Sequence, residues 1–389
     1  MADVAAVASV LSPGTLPADE LAAWGALADR AAEPNPFLRP EFVLAGLEGR
    51  ARDTELLVVR DGARWLACAA FRRAKRWGPI PLPVLAPWLP EYAYLATPLV
   101  DRDAVAAGTA ALVGALTGER RAAALVLDPV DATGPVGAGL IAAVQARGLA
   151  PVEAARFERA ALRRRPGNTY LDEAVSTGGR KKLRSRARKL RAELGPDAGV
   201  VDRSGDTSAP AEFLALERAG WKGDEGTALA STPGDAVFFT HMCAGMADAG
   251  RLQVLELAGG GTTAAMQCNL VDGDVMFAFK VAHAPALAAL SPGAALELAA
   301  IDVFHDQMSA TLADSCAAPD STLINRLWPD RRPLMTLVLP TGARHARLVG
   351  PALRAERRAR GAHRGLRRGS AAARARLEKL RDGRMGAPA

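Results

Sequence analysis

The sequence predicts a mixed α/β protein built as two similar halves, on three observations. Its 389 residues suffice for two domains of ~100–200 residues each. Alternating apolar stretches meet at an Asp-Gly turn twice, at Asp61-Gly62 and Asp272-Gly273, and each reads as a hairpin. In both halves helices precede the hairpin, and helices alternating with strands follow it. No residue-level repeat accompanies this duplicated order.

In the first half, Pro17–Ala32 reads as an amphipathic helix with Leu21, Trp24, Leu27 and Ala28 on one side. Asn35-Pro36 breaks it, and Pro40–Leu47 is a second short helix. The first hairpin joins Leu56–Arg60 to Trp65–Arg73. Proline-rich Trp77–Trp88 reads as a loop and Tyr92–Val100 as a strand, after which Asp101 or Asp103 is expected to cap a helix to about Leu116. Ala123–Leu127, Val136–Arg147 and Ala155–Arg163 follow as strand, helix and strand.

Pro166-Gly167-Asn168 punctuates the chain, and a helix over Thr169–Val175 is expected next. Then comes Arg180-Lys181-Lys182-Leu183-Arg184-Ser185-Arg186-Ala187-Arg188-Lys189-Leu190-Arg191, with eight cations and no acid. Leu183, Ala187, Leu190 and Leu194 recur at helical spacing and predict one apolar ridge flanked by charge. Gly178-Gly179 precede this helix and Gly195-Pro196 stop it. Like charges at i,i+4 cost a few tenths of a kcal/mol per pair, so the stack calls for an anion or an acidic neighbour. The alternative is a solvated face with no specific partner.

Val200–Asp202 reads as a short strand, Ala211–Ala219 and Asp235–Ala247 as helices, and Leu252–Leu257 as a strand. Thr263–Val271 and Val275–Val281 form the second hairpin. Ser291-Pro292-Gly293 opens a helix from Ala294 to about Met308. A strand at Ala310–Leu312, a helix at Leu323–Trp328 and a strand at Leu334–Leu339 complete the half. Beyond Gly342 only charge is patterned. The expected division is 1–165, 166–342 and a basic, flexible tail over 343–389.

Charge is unevenly placed. From Arg344 onward fourteen Lys/Arg face three Asp/Glu, whereas residues 1–343 hold 35 cations and 39 anions. A mildly acidic body with one basic helix and one basic tail is not the pattern of a general nucleic-acid-binding domain. Cys68, Cys243, Cys268 and Cys316 are far apart among apolar residues, so no metal site is expected. Met1–Leu11 lacks the basic start of a signal peptide, and no stretch is apolar for the ~20 residues of a membrane span; a reducing cytoplasm is the expectation.

Several stretches together resemble one family. Gly179–Gly195 resembles the basic first helix of the BioF-like acetyltransferase domain. Phe213–Ala228, with Glu217, Gly220-Trp221-Lys222-Gly223 and Gly226-Thr227-Ala228, resembles its next helix and loop. The hairpin with Phe279-Lys280, then Leu290-Ser291-Pro292-Gly293, Asp314-Ser315-Cys316 and Trp328-Pro329-Asp330-Arg331-Arg332, are similar to later parts of the same domain. The resemblance covers Thr169–Pro340; over residues 1–165 it rests on element order. It is to the CelD-type group of the GNAT superfamily, related to the FemAB-like proteins, and implies a tandem GNAT-like fold of two mixed-sheet halves flanked by helices. It further implies acetyl-CoA or another acyl-CoA as co-substrate, and an amine acceptor on a sugar, cell-envelope precursor or small molecule.

Candidate residues follow. At Ser291, Gly293 and Ala294 the helix dipole and free N–H groups suit an anion, and the resemblance places the coenzyme A pyrophosphate there. The family's usual Gln/Arg-x-x-Gly-x-Gly/Ala is replaced by Ser-Pro-Gly, so an ordinary helix cap is the alternative. Lys280 is a candidate for a phosphate or carboxylate, or else a snorkelling edge lysine. Trp221, Lys222 and Gly223 read as an acceptor pocket, with indole stacking and an ammonium for an anion; a packed helix end is the alternative. Gln267 and Asn269 share one strand face, preferred as solvent-facing, with a substrate contact as the alternative. Arg180 and Arg184 of the basic helix are assigned to an acidic donor or polyanionic acceptor.

Acyl transfer to an amine needs a base and donors for the developing oxyanion. Glu217, Asp224, Asp314 and His241 are the candidate bases, and no spacing singles one out. His305-Asp306 diverge on a helix and make no triad; Cys316 reads as a small buried thiol. The expected function is N-acyl transfer from acyl-CoA in polysaccharide or cell-envelope biosynthesis. The rivals are FemAB-like aminoacyl transfer from charged tRNA, and a non-catalytic accessory role in exopolysaccharide or cellulose synthesis. The basic tail reads as a solubilising segment, contact with acidic surfaces being the alternative.

Overall fold

A strand that ends early leaves a gap along one stretch of the sheet, and the strand order explains why. The computed structural model describes residues 6–89, 91–165, 170 and 175–359. Its strands are β1 (Val7–Leu11), β2 (Thr54–Asp61), β3 (Arg64–Ala74), β4 (Val84–Ala86), β5 (Leu99–Val100), β6 (Ala124–Asp131), β7 (Val152–Arg163), β8 (Gly199–Asp202), β9 (Leu252–Gly259), β10 (Thr262–Asp272), β11 (Val275–His283), β12 (Leu312–Asp314) and β13 (Asp330–Pro340). They form one sheet in the order β1-β2-β3-β4-β6-β13-β7-β12-β11-β10-β9-β8, with β5 beside β3. Only β4–β6 and β11–β12 are parallel among the described pairs, so each half contributes one crossover step. The expected fold class, two mixed-sheet halves flanked by helices, is the one found. The last strand, β13, lies between β6 and β7, so the sheet runs unbroken past residue 165.

The helices are α1 (Ala18–Asp29), α2 (Pro40–Glu48), α3 (Val105–Thr117), α4 (Pro135–Gln145), α5 (Thr177–Leu194), α6 (Ala209–Ala219), α7 (Trp221–Asp224), α8 (Pro233–Asp248), α9 (Pro292–Asp306) and α10 (Thr322–Leu327). The main core crosses both halves: Phe37 and Phe42 meet Phe238, Phe277 and Phe279 edge-on or tilted. A second core packs α3 and α4 on the first half's other face, around Val59, Leu112, Val136 and Leu140.

Four expectations change. Tyr92–Val100 is extended only at Leu99–Val100, because Tyr92 and Ala93 hydrogen-bond back to Leu89 in a turn. The loop over Trp77–Trp88 contains β4. Asp101 does not cap α3; buried, it takes Arg30 Nε at 2.8 Å and Arg64 Nε at 2.9 Å. Residues 343–359 are helical rather than patternless, and Val349, Ala352 and Leu353 pack against Trp77 and Val338. The helix expected at Thr169–Val175 and the tail beyond residue 359 lie outside the described residues, apart from helical Tyr170 and buried Val175.

The basic helix forms as its ridge predicts. Leu190 and Leu194 are buried, while Leu183 and Ala187 are half-buried. It starts earlier than the glycine pair suggests: Ser176 is the N-cap, accepting from Gly179 N at 3.3 Å, so Gly178 and Gly179 lie inside the first turn. No carboxylate pairs with Lys181, Lys182, Arg184, Arg186, Arg188, Lys189 or Arg191 among the described residues.

Candidate functional site

Strand β11 pairs with β10 as far as His283, but with β12 only over Val275–Phe277. β12 stops at Asp314, and Cys316 sits in the left-handed region at φ 51°, so the chain turns away. The outer stretch of β11 therefore borders a gap instead of a neighbouring strand. A cavity of about 380 Å³ fills it, walled by Val281 and His283 from β11, Ser291, Gly293 and Glu297 at the start of α9, Lys182 and Arg186 from α5, and Ile324 and Arg326 from α10.

The start of α9 is shaped for a close approach. Ser291 is left-handed at φ 55°, and Pro292 supplies a first-turn residue with no N–H. The Ser291 carbonyl accepts from both Ala294 N and Ala295 N at 3.1 Å. Gly293 N–H is thus the first-turn donor with no partner among the described residues, fewer than the several expected. Arg186 Nη1 donates to Ser291 Oγ at 3.0 Å, which brings a guanidinium to the positive end of the helix dipole. A Cβ added to Gly293 would stand 3.7 Å from Nδ1 of His283, so these two line one wall.

His283 also lines a second, smaller recess of about 110 Å³ with Glu217, Gly220, Trp221, Lys222 and Val281. Partial burial and the nearby Lys222 ammonium hold its imidazole below the ordinary value of 6.5, so it is neutral at pH 7. Lys222 Nζ donates to Glu217 Oε1 at 2.7 Å and to the Val281 carbonyl at 3.2 Å. That carbonyl therefore points away from β10, and the N–H of the same strand residue points with it. In the larger cavity Glu297 is buried and accepts from Trp328 Nε1 at 2.6 Å. Burial pushes its carboxyl up to about 7.

The residues expected from sequence are only partly brought together. Ser291, Gly293 and Ala294 line the larger cavity; Trp221 stands 55% exposed at the smaller one. Lys280 lines neither. Its ammonium sits over Tyr92 at 4.8 Å and Tyr94 at 5.8 Å, and desolvation there lowers its pKa. Lys222 is occupied by Glu217, and Gly223 serves packing, since a Cβ there would fall 1.8 Å from the Arg218 carbonyl oxygen. Gln267 and Asn269 are buried rather than solvent-facing, because α9 covers their side of β10, with Leu296 and Ala300 packed on Ala265. Arg180 and Arg184 border a separate groove on the other side of α5.

The expected bases fare similarly. Glu217 is committed to Lys222 and to Leu229 N at 2.8 Å. Asp314 is fully buried between Arg332 at 3.0 Å and Arg159 at 3.3 Å. Asp224 is exposed and borders neither cavity. His241 pairs with Glu48 at the surface at 2.6 Å. Cys316 is buried, which raises its thiol pKa. His283, Glu297 and Arg186 were not singled out by sequence. The available signals were a histidine ending the hairpin strand and a lone acid in the apolar stripe Leu296–Ile301.

Comparison with known proteins bears on this half directly. Residues 178–308 match the family model described as Acetyltransferase (GNAT) domain. This segment is similar to the GNAT acetyltransferase domain. It runs from the first turn of α5 to just past the end of α9 and so includes the β11, α9 and α5 walls of the larger cavity but not the α10 wall. No curated protein matches the chain. Among solved structures, a conserved protein of unknown function from Bacteroides thetaiotaomicron is 10% identical, covering 86% of this chain and 100% of that one, with a TM-score of 0.54. FemX is 10% identical over 86% of this chain and 96% of its own, with a TM-score of 0.53. A tandem GNAT protein from the clavulanic acid biosynthesis pathway is 14% identical over 87% and 99%, with a TM-score of 0.41. Among the described residues, no helix is long and apolar enough to cross a membrane.

Proposed function

We propose that the protein is an N-acyltransferase of the BioF-like, CelD-type group. It takes the acyl group from an acyl-CoA and passes it to an amine on a sugar or cell-envelope precursor. The observation that carries this reading is His283, a neutral imidazole shared by two recesses at the open edge of β11. The larger recess suits the donor. Gly293 N–H, the α9 dipole, Arg186 and Lys182 supply positive charge for its phosphates, and the wall at Val281, Ile324 and Leu327 is apolar. The smaller recess, with Trp221 at its mouth, suits the acceptor.

The chemistry is direct. The acceptor nitrogen attacks the thioester carbonyl carbon, His283 takes the nitrogen's proton, and the C–S bond breaks to release the thiolate. The N–H of Val281, on the unpaired edge, is the donor available to the carbonyl oxygen as it gains charge. Lys222 acts indirectly, holding the Val281 peptide in place and keeping a proton off His283.

The test is calorimetric titration of the folded protein with acetyl-CoA and with free CoA. Saturable binding that Gly293→Asp weakens is expected. Absence of binding to either ligand would overturn the reading.

A further inference from the structure

On the other side of α5 lies a larger groove of about 830 Å³, bounded by α5, β8, β9 and the early turns of α9. Its floor is aliphatic, made by Leu190, Leu194, Val200, Leu257, Ala295 and Ala299. Its rim carries Lys181, Arg184, Arg188 and Arg191, all exposed and none paired with a carboxylate among the described residues. No aromatic side chain and no carboxylate lines it among the described residues. A helix that stacks unpaired like charges above an apolar trough is stabilised by an occupant that supplies both an anion and apolar surface.

The occupants differ in how they meet these two demands. A nucleic acid would use the rim through its phosphates, but among the described residues the groove has no aromatic side chain for single-stranded bases to stack on, and an aliphatic floor gives a duplex nothing. The chain's own residues 360–389 hold nine Lys/Arg against two Asp/Glu and bring like charge to the rim. An anionic phospholipid satisfies both, with an acyl chain for the floor and a phosphate for the guanidinium groups.

We propose that this groove binds a membrane phospholipid with an anionic headgroup, its chain along Leu190, Leu194 and Leu257 and its phosphate on Arg184, Arg188 and Arg191. The site is distinct from the cavity at His283. Helix α5 stands between them and presents Lys182 and Arg186 to one, Arg184 and Arg188 to the other. The proposal does not depend on the acyl-transfer reading.

The experiment is titration calorimetry on the full chain with dihexanoyl phosphatidic acid below its micelle-forming concentration. sn-Glycerol 3-phosphate is the headgroup control, and dihexanoyl phosphatidylcholine the zwitterionic one. Saturable binding at least ~10-fold tighter than either control is expected, because head and chain are read together. Ala299→Glu, which puts an acid on the floor, and the exposed pair Arg188→Ala/Arg191→Ala should each weaken it ~10-fold. The arginine pair spares the packed ridge, so a folding defect in Ala299→Glu cannot mask the result. Saturating acetyl-CoA should leave the lipid affinity unchanged. Equal binding of glycerol phosphate, unchanged affinity in the arginine pair, or displacement of the lipid by a tRNA acceptor-stem duplex would each overturn the proposal.

Discussion

Arg186 donates to Ser291 Oγ at 3.0 Å across 105 residues of sequence, joining the basic helix to the first turn of α9. Among the described residues it is the one side-chain hydrogen bond between α5 and that turn, and it points a guanidinium at the positive end of a helix dipole. Two like-signed features are held together, an arrangement that an anion between them relieves. Arg186→Ala should therefore raise the KM for acyl-CoA about 10-fold, as loss of one charge-assisted contact does, and leave kcat nearly unchanged. Steady-state kinetics at two salt concentrations checks this, and an effect on kcat alone would count against it.

His283→Gln should lower kcat about 10²–10⁴-fold, the range for removing a general base, with acyl-CoA affinity retained. Because burial and Lys222 lower its pKa, wild-type kcat/KM should stay flat through neutrality and fall only below pH 6.5, where the imidazole is protonated. The variant should lose that acid limb. An unchanged pH–rate profile would remove His283 from the base role.

Glu297 makes stability depend on pH in the opposite sense to an ordinary ion-paired acid. Its folded-state value of about 7 lies above the ordinary 4.5, so the folded protein binds the extra proton. That stability is fully present below pH 4.5 and is lost as pH rises through 7. Glu297→Gln should remove the dependence, gaining on the order of 3 kcal/mol over wild type at pH 8 relative to pH 4. Urea midpoints at both pH values give the comparison.

Asp314 is expected to matter for folding and not for chemistry. Replacing it with Ala leaves Arg159 short of its carboxylate and Arg332 with Asp131 alone, at a cost of about 3–5 kcal/mol. A chemical role would appear as lost activity in a variant whose denaturation midpoint is unmoved.

Gly223→Ala should destabilise by about 1–3 kcal/mol, because the new methyl meets the Arg218 carbonyl and the turn beneath Trp221 must shift. A thermal melt measures the loss, and acceptor KM should rise with it. An unaltered melt would mean the loop adapts freely.

Local chemistry made much of the fold legible. Two Asp-Gly turns marked both hairpins, and four apolar residues at helical spacing placed α5 with its ridge inward. Tyr92–Val100 misled because its apolar content serves the aromatic wall around Lys280 and not a strand. Residues 343–359 were hidden because three apolar contacts, Val349, Ala352 and Leu353, are diluted among arginines. The site was harder still. His283 acquires its character from partial burial and from Lys222, sixty-one positions earlier, and Glu297 from its burial in the folded core. Neither relationship has a sequence spacing to announce it. Gln267 and Asn269 look solvent-facing until α9, which begins some twenty residues later, covers that face.

The place of β13 between β6 and β7 bears on how the protein is made. Synthesis delivers β6 and β7 early, yet the strand that joins them comes at residues 330–340. Until then a nascent chain presents two unsatisfied strand edges, the kind of surface that invites pairing with other chains. Neither half can be sealed ahead of the other. Maturation of both waits on the same eleven residues, and a message truncated shortly before them would yield a product open at its centre instead of a shortened but sound first half.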